Sequence, residues 1–362
     1  MYSLCINRVT NIFIIPDKSI GSFNGCTSLT SVSFPEAEEV GGFSGCTSLK
    51  AVYLPKAKQI GRFNDCTSLT SVEFPELLEV VDGGFEECTA LKSVTLPMVE
   101  YIESFSFRNC KALTTIDIPN AIYIGDNAFE FCSSLTAISF PNVRTLGYSW
   151  VFGCCESLVS INLPQATNIG IFCTFENCKS LSEINIPMAE VIGESAFWGC
   201  SSLKHIDLPN TRKIMMEAFA GCSLKSIYIP KVERIGAAAL LKGLKKIYVR
   251  NPVPAVADNA FSYGSEGGAW ETAKLIVPKS VEEAYRTTYP WSMFFIEEEM
   301  EVTGYTDYMA FQTPHGNNVT GFTADGKTQL LIYSEEASTD NHSSSYNIKA
   351  FINGEETADQ HL

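Results

Sequence analysis

At 362 residues, with 26 basic against 41 acidic residues and a net charge of −15, the chain can bury a large core and repels phosphate backbones and anionic lipid. Nucleic acid and membrane surfaces are therefore not expected partners, and no apolar run approaches the ~20 residues of a membrane span. Near the N-terminus the apolar patch Ile12 to Ile15 is too short for a secretory core and is followed by no small-residue cleavage site, so a leader is not visible.

From there the chain repeats itself. Phe-x-x-Cys occurs ten times between Phe23 and Cys222, and the period is 20 to 23 residues. A Leu follows each Cys, then a short alternating segment ends in Pro, as in Leu29-Thr-Ser-Val32-Ser-Phe34-Pro35. The alternation predicts a strand with Val32 and Phe34 inward. Pro35 ends it, because Pro cannot donate to a ladder. Phe to Pro spans twelve residues in every repeat but the last, and Pro to the next apolar anchor (Val40, Ile60, Val80, Ile102, Ile124) spans five. Only the return segment from anchor to Phe varies, from three residues in Val40 to Phe43 to six in Ile169 to Phe175. Strands must stay in register while that side bulges, and the longer copies, such as Ile124 to Phe129, are expected to hold a helical turn.

Cys-x-x-Leu-x-x-Ile-x-Ile-Pro followed by Ile-Gly-x-x-Ala-Phe, clearest at Cys132 to Pro141 and Ile192 to Leu208, resembles the BspA-like leucine-rich-repeat family. The resemblance runs from near Thr10 to near Pro278. It implies an α/β repeat: a solenoid with a parallel sheet on its concave face. It also implies a bacterial surface protein that binds other proteins; related arrays in phage-derived genes supply the alternative, a structural spacer without its own ligand.

Both ends of such an array need caps. Phe13 and Ile15 before Pro16 fit a degenerate first strand. After Ile235 the pattern decays, resumes at Leu275-Ile-Val-Pro278, and ends in a predicted cap over 279–296. There Ser280-Val-Glu-Glu283 reads as a capping box for a helix to about Thr288, and Trp291, Phe294 and Phe295 can cover the last coil. Residues 1–296 thus form the solenoid unit. Glu297, Glu298 and Glu299 open an acidic linker over 297–304. Residues 305–362 have no Cys and alternate at Tyr308–Gln312, Val319–Thr323, Gln329–Tyr333 and Tyr346–Asn353. They read as a small all-β domain, short for a sandwich, that weakly resembles immunoglobulin-like modules.

Several motifs dissolve in context. Gly321-Phe-Thr-Ala-Asp-Gly326-Lys327-Thr328 matches a phosphate-loop string, but such a loop must open a helix, and Gln329-Leu-Leu-Ile-Tyr333 reads as strand. Cys154, Cys155, Cys173 and Cys178 gather in adjacent coils without Cys-x-x-Cys or paired His, so buried thiols acting as small hydrophobes are the plainer reading than zinc. Stacked ladder cysteines would sit ~4.8 Å apart, with Cβ atoms wider than the ~3.8 Å a disulfide prefers. Cys154 with Cys173 is the off-ladder pair of interest. No nucleophile–base arrangement occurs, so no enzyme and no cofactor are expected.

What remains is the outward row of the strands. Asp117, Asn162, Asn185, Asp207, Tyr228 and Tyr248 follow one another along it, with Glu183 and His205 on the neighbouring row. The plain reading is a solvated sheet face. The functional one is a rigid groove for a protein or glycan of another cell or matrix, with the tyrosines as anchors. The expected whole is a non-catalytic, monomeric adhesion module acting outside the cell or on its surface, without metal.

Overall fold

The structure, a computed structural model, describes residues 10–13, 17–241, 243–257, 259–262 and 268–298, and the backbone of five strands between 305 and 361. The chain divides into two units, Met1–Glu298 and Glu299–Leu362.

The first unit is a leucine-rich-repeat solenoid with two ladders of short parallel strands. The first ladder contains the predicted strands, from Asn11–Phe13 and Ser31–Ser33 through Lys246–Tyr248 to Lys274–Val277 and Phe295–Glu298. The second is built at the apolar anchors, from Ser19–Ile20 and Glu39–Val40 to Arg234–Ile235. Pairing is in register: Ser139, Asn162 and Asn185 align, as do Asp207, Tyr228 and Tyr248. The first ladder breaks into separate hydrogen-bonded sheets after Ala51–Tyr53, Thr115–Asp117 and Glu183–Asn185. The second ladder stays paired across the last two of those breaks.

The Phe–Cys segment closes each coil. Successive Phe rings from Phe23 to Phe219 stack with centroids 4.9 to 5.5 Å apart. Each Phe carbonyl accepts the amide of its own Cys, as Cys132 N to Phe129 O at 3.2 Å. The thiol of the following coil donates to the same oxygen: Cys46 to Phe23 at 3.1 Å, Cys132 to Phe107 at 3.2 Å, Cys155 to Phe129 at 3.1 Å. The thiols are thus more than apolar filler, because they satisfy buried carbonyls. Burial pushes the thiols of Cys88, Cys110, Cys132, Cys178 and Cys200 up, Cys88 to about 12, and the described cysteines are free, including Cys154 and Cys173.

The longer return segments hold no helical turn. Each places a left-handed residue two before its Phe: Gly83, Phe105, Asn127, Trp150, Cys173, Ser195 and Glu217. A left-handed residue cannot continue a right-handed helix, so the added residues form a turn instead. The α/β class is corrected accordingly. Among the described residues of this unit the one α-helix is Glu282–Thr287, in the cap, and the array is almost wholly β.

Glycine after the anchor allows the coils to close up. A Cβ on Gly125 would lie 2.6 Å from the Ser104 nitrogen, and one on Gly193 would lie 2.5 Å from the Gly170 carbonyl oxygen.

The ends differ from expectation in detail. At the N-terminus Ile12, not Phe13, stands in register with Val32, a slip of one residue that exchanges the faces. The capping box does not form: a 3-10 turn, Lys279–Val281, puts Val281 at the N-cap, with no side-chain cap bond. Trp291 and Phe294 cover Phe261 edge-on at 5.0 and 4.9 Å. Phe295 instead points out, 67% exposed, and Tyr285 takes its place, its hydroxyl donating to the Asn251 carbonyl at 2.9 Å. Trp291 Nε1 donates to the Ala255 carbonyl at 2.8 Å. The closing strand Phe295–Glu298 extends the first ladder and carries Glu297 and Glu298.

The second unit is one antiparallel sheet of five strands in sequence order: Tyr305–Thr313, Gly316–Thr323, Gln329–Asp340, Ser343–Ile352 and Glu355–His361. The phosphate-loop string runs from one of these strands into the next, Gly316–Thr323 into Gln329–Asp340, so strand follows where a helix would be needed. Residues 324–328 lie outside the described residues.

Two outcomes follow for the solenoid. Phe129→Ala should cost roughly 3–5 kcal/mol through lost burial and a cavity, and Gly125→Ala about 1–3 kcal/mol through forced separation of two coils, both read from chemical denaturation. In native protein at neutral pH the ladder thiols should resist alkylation, whereas after denaturation all thirteen cysteines should react; recovery of only about three would mean that the ladder is cross-linked.

Candidate functional site

The eight singled-out residues all lie in first-ladder strands on outward positions, but they do not form one array. Asp117 is exposed and belongs to the sheet of Ser71–Glu73, Ser93–Thr95 and Thr115–Asp117. Asn162, Glu183 and Asn185 belong to the next sheet, and His205, Asp207, Tyr228 and Tyr248 to the last. In the middle sheet the amides knit to one another: Asn162 Nδ2 donates to Ser139 Oγ at 2.9 Å, and Asn185 Nδ2 to Asn162 Oδ1 at 2.7 Å. This spine orders the coils and leaves fewer polar groups for a ligand.

The last sheet gathers most of the chemistry. Tyr228 and Tyr248 are half-buried rather than free in solvent, with ring centroids 6.5 Å apart and tilted. The Arg250 guanidinium lies 6.0 Å from the Tyr228 ring centroid. His205 Nδ1 shares a hydrogen bond with Ser226 Oγ, and burial, then the Lys204 ammonium, hold the imidazole below its usual range. Asp207, in register with Tyr228, is pushed up to about 6 by burial. A desolvated carboxyl between a histidine row and two phenols is a preformed polar spot on an otherwise plain sheet. Arg250 had no period-based signal, since it lies past the strand, whereas Ser226 lies on the same periodic row as His205. Tyr53, on the same row as Tyr228 and Tyr248 but near the N-terminal end, is 58% exposed.

An open cleft of about 410 Å³ lies elsewhere, along the turns between the two ladders, lined by Glu100, Asn120, Ile122, Asn142, Arg144 and Gln165. Its asparagines stitch coils together: Asn120 Nδ2 donates to the Pro97 carbonyl at 2.7 Å and Asn142 Nδ2 to the Pro119 carbonyl at 3.0 Å. Among the described residues no three His, Cys, Asp or Glu side chains converge as a metal site would require. Among them, too, no helix is long and apolar enough to cross a membrane.

A model of the BspA type leucine-rich repeat region matches residues 7–84, 59–173 and 167–283. No curated protein matches the chain. Among solved structures, a leucine-rich repeat protein of Bacteroides ovatus is 23% identical over 81% of this chain and 85% of its own, with a TM-score of 0.46. A leucine-rich cell surface protein of Faecalibacterium prausnitzii is 24% identical over 67% of this chain and 88% of its own, at 0.36. An internalin, inlF, of Listeria monocytogenes is 10% identical over 76% and 82%, at 0.26.

Asp207 makes a pH signature. Its folded value, about 6, lies above the ordinary 3.8, so the native state holds the proton longer than the unfolded chain. Stability that is full below about pH 4 is lost as pH rises to about 6 and stays lost above it. Asp207→Asn should abolish that slope and raise stability at pH 7.5 by on the order of 2 kcal/mol, measured by denaturant titration at pH 4 and 7.5.

Proposed function

Because the chain belongs to the BspA-type leucine-rich repeat family, we propose that it is a non-catalytic adhesion module whose first-ladder face binds a protein or glycan outside the cell or on its surface. The observation that carries the reading is the last sheet, where Tyr228, Tyr248, Asp207 and His205 occupy in-register positions on backbone held by the stacked coils. Groups fixed in this way lose little entropy when a ligand arrives. Tyrosines add contact area with few rotatable bonds and a hydroxyl for the rim. Asp117, Asn162, Glu183 and Asn185 extend the same face toward the N-terminus as a polar border rather than as its centre. The module acts as a monomer, and the reading requires neither metal nor cofactor.

The ligand is sought by screening the purified chain against matrix proteins and glycan arrays. For any ligand found, Tyr228→Ala with Tyr248→Ala should weaken binding by roughly 1–3 kcal/mol, with circular dichroism showing the fold retained. Glu194→Ala with Arg212→Ala, away from this face, should not. The reverse pattern would move recognition to the other side of the coils, and a chain that binds nothing in the screen would favour the spacer role.

A further inference from the structure

The opposite ladder carries a second surface of different chemistry, independent of the proposal above. Its outward row places Glu79, Tyr101 and Tyr123 side by side in successive coils. The residue after each inward anchor is Glu103 in one coil and a glycine, Gly125 or Gly147, in the next two. After these buried glycines come Asp126 and Tyr148. Asp126 Oδ1 accepts the Tyr148 amide, which fixes the start of that turn. Tyr101 is 44% exposed and Tyr148 68% exposed, a large aromatic area for the surface of a chain this acidic.

Glu79 and Asp82 lie close enough to Glu103 for their charges to act on it. Glu103 is held up by burial and then by Glu79 and Asp82. Tyr123 is held up by burial and then by Glu103, Asp126 and Tyr148, which places these groups within one another's field. Arg62 pairs with Asp82 at 3.1 Å, but among the described residues Glu79, Glu103 and Asp126 make no ion pair. Other acids of the array are neutralised by the neighbouring coil: Glu38 lies between Lys18 and Lys58 at 2.7 and 3.1 Å, and Glu233 meets Arg212 at 2.7 Å. The contrast is local: one stretch of four coils combines exposed phenols with carboxylates that no ion pair neutralises among the described residues.

We propose that the second-ladder face at Tyr101, Tyr123 and Tyr148, with Glu79, Glu103 and Asp126, docks a polypeptide segment that carries both basic and apolar side chains. Ammonium or guanidinium groups gain the carboxylates and the electron-rich ring faces together. Apolar side chains of the same segment cover the exposed phenol rings of Tyr101 and Tyr148. The chain's net charge of −15 steers a basic partner toward it.

The test uses the full chain and a fluorescein-labelled peptide of about a dozen residues, half lysine and half leucine, followed by anisotropy near physiological salt. The expected result is saturable binding that weakens at least about tenfold when serine replaces leucine and disappears when glutamate replaces lysine. Tyr101→Ser with Tyr148→Ser, and separately Glu79→Gln with Glu103→Gln, should each weaken it about fivefold or more. Glu76→Gln with Glu283→Gln removes the same charge elsewhere and should leave binding within about twofold, as should Tyr228→Ala with Tyr248→Ala on the other ladder. Circular dichroism and melting confirm that each variant is folded. The proposal is overturned by absent binding, by equal loss in the charge control (which would show adhesion to net charge alone), or by loss in the Tyr228 and Tyr248 variant with the second-ladder variants unaffected. A dimer in sedimentation that Tyr101→Ser with Tyr148→Ser dissolves would assign the face to a second copy of the chain and overturn it equally.

Discussion

The Phe carbonyl is the point on which the solenoid turns. It is buried, it has two lone pairs, and it takes one hydrogen bond from within its coil and one from the next thiol, as Phe107 does from Cys110 N and Cys132 Sγ. A buried carbonyl left short of partners costs free energy, so the residue three after Phe must place a small donor on the axis between coils. Cys meets both demands, being apolar enough for the stack and able to donate. The turn that delivers it requires a left-handed residue just before it: Gly25, Gly45, Asp65, Glu87, Asn109, Phe131, Cys154, Asn177, Gly199 and Gly221. The fixed Phe-x-x-Cys spacing is therefore a hydrogen-bonding constraint as much as a packing one.

Because that constraint and the strand pairing hold two sides of each coil, length changes collect on the return segment after the second ladder. There each lengthened copy adds a second left-handed position; the residue before Phe stays buried, as Ala128 and Val151 do, while others of its side chains reach the surface. Tyr148 and Phe172 are outcomes of that freedom, the latter 46% exposed. The regular side thus has uniform geometry and mostly small polar residues. The irregular side has uneven geometry and the larger exposed rings.

How much of this was legible in the sequence depended on whether the signal was periodic. The inward residues, the Phe and Cys stacks and the Pro stops repeat every coil, and the structure places them where the period does. The helical turn at Ile124 to Phe129 was misread because length alone cannot distinguish a helix from a turn. Asn127 before Ala128 was the available clue, since Asn tolerates the left-handed region. The capping box failed for a local reason: Pro278 leads into a 3-10 turn that uses up Ser280 before the helix begins. The one-residue slip at Ile12 came from a single degenerate copy with nothing to average against. In the candidate site, the placement of all eight residues on outward positions was legible. The breaks between first-ladder sheets, the burial of Asp207 and the half-buried tyrosines were not, because they depend on how neighbouring coils twist and pack.

The two faces pose a question about which property selects a binding surface. Rigidity favours the first ladder, because its strands hold side chains in register and binding freezes little. Yet where this face is most regular, its polar groups are already used: Asn185 and Asn162 satisfy each other, and His205 and Ser226 do the same. A group with its hydrogen bonds met gains little from a ligand, since one bond is exchanged for another. The second ladder has the opposite balance. Its carboxylates at Glu79 and Glu103 lack counterions among the described residues and sit beside exposed phenols, so an incoming cation supplies an attraction that no neighbouring coil provides. Preorganisation and unmet valence thus lie on different sides of the same coil. Asp207 is where the first face retains some of both, because its carboxyl, in register with Tyr228, is desolvated by burial.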